Sequence, residues 1–209
     1  LDLEAELWAR GLLRVVGVDE VGIGPICGPV VAAAVVVPPF RAAIAGVRDS
    51  KTVPPREREQ LYDEIIVHAL AFGVGAASVA EIGRLNILGA SHLAMRRALA
   101  RVGRADVVLV DGRPVRSDQL GPHRAIVDGD ASCYAIACAS IVAKVTRDRL
   151  MRKLGHRYPG YGWEKNAGYP TPDHLAALAT RGVTPYHRVT FAPVRATLEH
   201  SAASDDQCP

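Results

Sequence analysis

Apolar positions along the chain switch repeatedly between helical spacing and continuous or alternating runs. Residues 1–11 set Leu3, Leu7 and Trp8 at helical spacing among acids and close on Gly11, which predicts a short helix. Residues 12–21 are apolar and β-branched, hence a strand. A glycine-rich break, 22–28, follows, and 30–37 is a second strand without a polar position, the pattern of burial on both faces. So short a connection predicts an antiparallel hairpin, because a parallel crossover takes about a dozen residues or more. Pro54-Pro55 opens a helix to about residue 70, with Leu61, Ile65 and Ile66 on its apolar face. Residues 71–78 read as a strand, and 79–101 as a helix in two pieces around Asn86. Two more strands, 106–110 and 124–127, precede a long helix over 131–154. Residues 155–172 form a Gly-, Pro- and Tyr-rich loop, 173–180 a helix, and the last twenty or so residues a loosely held, partly helical tail.

A hairpin followed by alternating helices and strands predicts an α/β fold, a mixed β-sheet flanked by helices. No Pro/Ser linker divides it. Residues 1–154 read as the α/β domain, and 155–209 as a C-terminal loop and helical appendage packed on it.

Composition narrows the class. Of the 209 residues 49% are hydrophobic and 22% charged, which excludes disorder and a disulfide-stapled miniprotein. The longest apolar run, 29–39, is too short to span a bilayer, so no membrane partner is expected. The net charge of +3 permits an anionic partner without requiring one. Cys27, Cys133, Cys138 and Cys208 form no CxxC pair and no zinc-ligand spacing. With no secretory signal pattern at the start, the expectation is a reducing cytoplasm.

The candidate chemistry lies in acids at strand ends. Asp19 and Glu20 interrupt an apolar strand, Asp111 ends 107–110, and Asp128 and Asp130 end 125–127. Ligands of open α/β sheets bind outside the carboxyl ends of strands. Carboxylates delivered there by three strands repel one another unless a cation or proton neutralises them. Oxygen-only ligands favour Mg²⁺ or Mn²⁺, and two such ions about 3.5–4 Å apart can activate water and stabilise the leaving oxygen of a phosphodiester. Against this, strand-end acids often cap helices, and Asp-Gly is an ordinary turn pair. The buried pair Asp19-Glu20 is harder to explain that way. Because neighbouring strand residues face opposite ways, both reach one site only if the chain bends. Gly22-Ile23-Gly24 is not a dinucleotide loop, since a strand follows it. It reads either as a hairpin turn or as exposed main chain that approaches a sugar or phosphate closely.

Residues 18–25, Val18-Asp19-Glu20-Val21-Gly22-Ile23-Gly24-Pro25, together with 28–34 closely resemble the opening signature of type 2 ribonuclease H, ribonuclease HII. The likeness continues in order through Asp49-Ser50-Lys51, Asn86-Ile87-Leu88, Val110-Asp111-Gly112, Gly129-Asp130 and 139–148. It ends with Tyr158-Pro159-Gly160-Tyr161-Gly162, Asn166-Ala167-Gly168-Tyr169 and 184–191. The resemblance implies an RNase H-like fold and cleavage, dependent on Mg²⁺ or Mn²⁺, of RNA in RNA–DNA hybrids. It also implies cutting 5′ to single ribonucleotides in duplex DNA, leaving a 3′-hydroxyl and a 5′-phosphate. Asp19, Glu20, Asp111 and Asp130 match the metal-binding acids, which selects Asp130 over Asp128. Gly22, Ile23 and Gly24 match the loop whose backbone reads the ribose 2′-hydroxyl. Tyr169 matches the tyrosine that stacks on the adjacent sugar, and Lys51 a phosphate-contacting lysine. A monomer is expected.

Three positions depart from the family. Ile23 stands where arginine is usual and offers no guanidinium–phosphate fork. Ala167 stands where lysine is usual, and Cys27 replaces a small residue. Intact acids with a weakened substrate grip is one reading; a non-catalytic hybrid-binding paralogue is the alternative. Asp148 reads as a further acid or as an ion-pair partner. The run Arg147, Arg149, Arg152, Lys153 and Arg157 suits a helix C-terminus or a phosphate-tracking face. His187 reads as structural, Cys133 and Cys138 as buried small residues, and Ser132 and Ser140 lack a nucleophile-elbow context.

Overall fold

The computed structural model describes residues 1–115 and 120–205. Helix α1 (Asp2–Ala9) leads into β1 (Val15–Val21), which pairs antiparallel with β2 (Val30–Val36) as the short connection requires. Helix α2 (Pro55–His68) leads to β3 (Ala71–Ala77), antiparallel to β2, and α3 (Val79–Val102) returns to β4 (Val107–Asp111), parallel to β1. Strand β5 (Arg124–Ile126) adds parallel to β4, giving the mixed order β3-β2-β1-β4-β5 among the described residues. Then come α4 (Gly129–Ser132), α5 (Tyr134–Arg157), α6 (Trp163–Asn166), α7 (Pro172–Arg181) and α8 (Ala192–Asp205).

Alternation along the strands builds two cores. Val15, Ala33, Val35 and Leu109 face a layer formed by α5, with Ile136, Ala139 and Val142. Val16, Val18, Ala32, Ala34 and Val110 face α3, with Ala90, Ala94 and Ala98. Strand β2, buried at every position, has one core on each face, as its unbroken apolar run predicts. Small residues let the layers close tightly. A Cβ on Gly17 would overlap the Ala135 carbonyl, so β1 and the start of α5 meet main chain to main chain.

The helix expected over 131–154 is two helices broken at Cys133, which is extended (φ −127°, ψ 120°), and the second runs on to Arg157. A distant acid supports the break. Glu4, fully buried on α1, accepts from the Ala135 N–H (2.8 Å) and the Cys133 thiol (3.1 Å), so it occupies the first turn of α5. No local pattern reveals a cap supplied from 131 residues away. Helix α3 is continuous except at Asn86 (φ 60°), whose side chain accepts from the Leu88 and Gly89 N–H groups and restarts the helix. The expected loop 155–172 contains the single turn α6. The tail is better anchored than expected, because Val194 of α8 is fully buried against Ile26 and Leu178. Its last residues, with Cys208, lie outside the described residues. No described helix is long and apolar enough to cross a membrane.

Candidate active site

The carboxyl ends of β1 and β4 lie side by side. Their pairing stops at Val18 and Val110, so Asp19, Glu20 and Asp111 extend just past it. Asp111 shares its strand face with Leu109, and Asp19 shares that same sheet face with Val15. β1 stays in register with β2 through Val21, so Asp19 and Glu20 start from opposite sheet faces at the strand end, and Asp111 couples electrostatically to both. Asp111 Oδ1 accepts from the Gly129 N–H at 2.7 Å, tying the start of α4 to the end of β4 and bringing Asp130 into the group. Asp130 is buried, whereas Asp128 is exposed in a left-handed conformation (φ 51°).

Asp19, Glu20 and Asp130 hold their protons more tightly than free carboxylates do. Burial, then Glu20 and Asp111, push Asp19 well above the usual aspartate value, although Ser140 and the Glu20 N–H (2.7 Å) bond its carboxylate. Burial and Asp111 raise Glu20 to about 7. Asp130 is raised by burial, Asp111 and Asp49, with Lys51 opposing. The Lys51 ammonium lies 3.6 Å from Asp130 and is otherwise exposed. Among the described residues, no three carboxylate, imidazole or thiol groups are already arranged to hold a metal ion.

Two members of the group were not singled out from the sequence. Ser140 donates to Ser50 at 2.8 Å and lowers the Asp19 carboxyl against its neighbours, so α5 and the Asp49-Ser50-Lys51 turn meet near the acids. Asp49 helps raise the Asp130 carboxyl and accepts from the Lys51 N–H. Asp148 stands apart as an ion-pair partner of Arg58 (3.2 Å) and Lys144 (2.7 Å).

A second constellation starts two residues beyond Glu20. Gly22 has φ +98°, and a Cβ there would overlap the Arg147 side chain. Arg147, fully buried, donates to the carbonyls of Pro29 (3.0 Å), Ala167 (2.9 Å) and Cys27 (3.1 Å). Arg188, equally buried, donates to those of Gly28 (2.9 Å), Ile23 (3.0 Å) and Gly22 (2.6 Å). Burial and the neighbouring Arg147 pull Arg188 down to about 9. Of the two readings of the basic run, a single phosphate-tracking face does not form. Arg147 is internal, and Arg149 and Arg152 are bound to Glu59. The signal lay in the helical stripe: Arg147 falls at the spacing of Ser140, Ala143 and Met151, among buried positions.

Tyr169 lies over the same loop, 3.5 Å from where a Gly24 Cβ would stand, and is 44% exposed. Its carbonyl accepts from His174 Nδ1 at 2.8 Å, while Trp163 Nε1 donates to His174 Nε2 at 3.0 Å. His187 is buried beside His174, and burial together with that neighbour lowers it to about 4, so it is structural as expected. Ala167 packs against the cluster of Cys27, Met151 and Trp163. The Cys27, Cys133 and Cys138 thiols, pushed up to about 12 chiefly by burial, are inert at neutral pH. A cavity of about 620 Å³ lies elsewhere, lined by Val35, Val37, Ile65 and Tyr134, and includes none of the clustered acids.

Comparison with known proteins agrees with this geometry. The family model described as Ribonuclease HII matches residues 16–194. A curated ribonuclease HII of Thermosynechococcus vestitus is 51% identical over 188 residues, covering 90% of this chain and 88% of its own. The crystal structure of a ribonuclease H2 from Pyrococcus horikoshii superposes with a TM-score of 0.74 at 27% identity, over 90% of this chain and 98% of that one. That of Bst-RNase HIII in complex with Mn²⁺ gives 0.73 at 21%, over 95% and 74%. With its RNase H-type sheet, its strand-end acids and its match over nearly the whole sequence, the chain belongs to the ribonuclease HII family and is a type 2 ribonuclease H, a phosphodiester hydrolase.

Proposed function

We propose that this chain hydrolyses the RNA strand of RNA–DNA hybrids and cuts 5′ to ribonucleotides embedded in duplex DNA. In this reading Asp19, Glu20, Asp111 and Asp130 are the metal-binding catalytic acids. The observation that carries it is the gathering of four carboxylates at the carboxyl ends of adjacent strands, where burial and mutual repulsion raise three of them. Such a group is costly as it stands and is relieved by a cation. Its donors are all oxygen, the chemistry of Mg²⁺ or Mn²⁺. The Mn²⁺ complex of Bst-RNase HIII, a protein of the same fold, points the same way. Bound there, the ion supplies water activation and neutralises charge developing on the phosphodiester.

The chain's own residues do the rest. Asp111, held by the Gly129 N–H, fixes the spacing between Asp19 and Asp130. Ser140 and Ser50 orient the Asp19 carboxylate. Lys51, beside Asp130 and mostly exposed, is available to a phosphate at the edge of the group. Gly22, Ile23 and Gly24 present main chain to the 2′-hydroxyl, and Tyr169 covers the neighbouring sugar. Intact acids in a ribonuclease HII favour this reading over a hybrid-binding paralogue, which has no need of mutually repelling carboxylates.

The test is cleavage of a labelled DNA duplex carrying one ribonucleotide, with Mg²⁺ and then Mn²⁺. An all-DNA duplex and Asp19→Asn protein are the controls. Metal-dependent cutting 5′ to the ribonucleotide, absent from both controls, is expected. A folded protein that binds metal and leaves the duplex intact would overturn it.

A further inference from the structure

The loop after β1 is held from behind by two buried guanidinium groups. Among the described residues, neither Arg147 nor Arg188 has an acidic hydrogen-bond partner; between them they take six main-chain carbonyls. The direction of those bonds decides what the loop shows to solvent. In a trans peptide the carbonyl of one residue and the N–H of the next point opposite ways. Arg188 draws the Gly22 and Ile23 carbonyls inward, so the N–H groups of Ile23 and Gly24 are turned outward. Neither has a hydrogen-bond partner among the described residues. Gly24 is exposed, Ile23 is half-buried, and Tyr169 stands beside them. Two adjacent N–H groups facing out beside a partly exposed aromatic ring make a receptor for an oxygen acceptor on a sugar-phosphate chain.

We propose that Arg188 is the positioning residue of this receptor: it fixes the two outward N–H groups, and the side chain at position 23 takes no part in the recognition. The inference rests on the reading above that the loop meets the ribonucleotide. It accounts for the tolerance of isoleucine where arginine is usual, because the recognising atoms belong to the backbone and their orientation is set by a residue 165 positions away. A charged donor to a carbonyl also polarises the peptide it holds, which strengthens the N–H on the other side.

The test compares wild type, Arg188→Lys and two changes at position 23 on the single-ribonucleotide duplex and on a long RNA–DNA hybrid, separating KM from kcat. Lysine keeps the charge and loses the fork, so Arg188→Lys should raise KM on the single-ribonucleotide duplex at least tenfold. The effect on kcat, and on the long hybrid with its many 2′-hydroxyls, should be several-fold smaller. An equal loss on both substrates, or no loss, would overturn the proposal. Should Arg188→Lys not fold, position 23 carries the test alone. Ile23→Ala retains the N–H and Ile23→Pro deletes it, so KM of the proline variant should be at least tenfold above that of the alanine variant. Equal KM for the two would overturn the proposal. Failure of wild type to cut either substrate would instead overturn the function on which it rests.

Discussion

At the end of β1, carboxylates are packed against carboxylates; from Gly22 onward, main-chain carbonyls are packed against guanidinium groups. The acid group is short of positive charge: Asp19, Glu20 and Asp130 all bind protons more tightly than usual, with Lys51 at its edge. The loop is saturated with donors, and its two buried arginines sit below their usual pKa. On the proposed reading the first region is relieved by a cation, whereas the second has its carbonyls satisfied and keeps two N–H groups for a ligand. The contrast teaches where each region keeps its specificity. In the acids it lies in side chains, and in the loop it lies in peptide groups whose side chains are free to vary.

The largest effect should come from removing a charge at the first region. Asp19→Asn should lower cleavage about 10³-fold or more, since several kcal/mol of transition-state stabilisation depend on the acids. The melting temperature should not fall, because an uncompensated buried charge is lost with the carboxylate. A matching loss of stability would break the comparison by making the acid structural.

Next comes the contact on which both regions stand. Gly17→Ala should destabilise the protein by about 3 kcal/mol, since a methyl group there meets the Ala135 main chain instead of a side chain that can move. Thermal unfolding should show a melting temperature lower by about 6–12 °C for a chain of this size.

The two regions should also answer pH with opposite signs. Glu20, raised to about 7, makes the folded state bind the extra proton, so in metal-free buffer its contribution falls as pH rises from about 4.5 to about 7. His187, lowered to about 4, makes the unfolded state bind the extra proton. Its contribution is complete above about 6.5 and is lost as pH falls through about 4. Denaturant unfolding of wild type against Glu20→Gln and against His187→Asn isolates the two slopes. Slopes of the same sign would contradict the contrast.

The smallest effect sharpens the second region. Ile23→Arg adds an exposed cation, worth about 1 kcal/mol at most, and should lower KM by no more than about fivefold. A gain of a hundredfold would show that the side chain matters after all.

Much of this was legible in the residues. The unbroken apolar run of β2, the glycine break and the acids ending β1 and β4 reveal the hairpin, the sheet and the acid group through local rules of spacing. What escaped is what depends on partners far away in sequence. Asp130 cannot be told from Asp128 by pattern, because the choice rests on a hydrogen bond from Gly129 to Asp111 across 18 residues. The basic run on α5 looks like one face until Arg147 turns inward to carbonyls more than 100 residues upstream. Ser140 fails every test for a nucleophile and still orients Asp19, because positioning a carboxylate needs only a hydroxyl at the right turn of a helix.

The carboxylate of Glu4 has a consequence for the order in which the chain is made. Its partners at Cys133 and Ala135 are synthesised about 130 residues later, on the order of 10 s at ordinary elongation rates. Helix α1 therefore precedes its partner and cannot be locked until the start of α5 has left the ribosome. During that interval the β1–β2 hairpin already exists but lacks the helix that covers one of its faces. A nascent chain halted before residue 133 should be readily cleaved by protease within residues 1–37, and one extended past α5 should resist. Dependence on late contacts of this kind is the kinetic side of a fold whose helix α1 is closed by a segment about 130 residues further on.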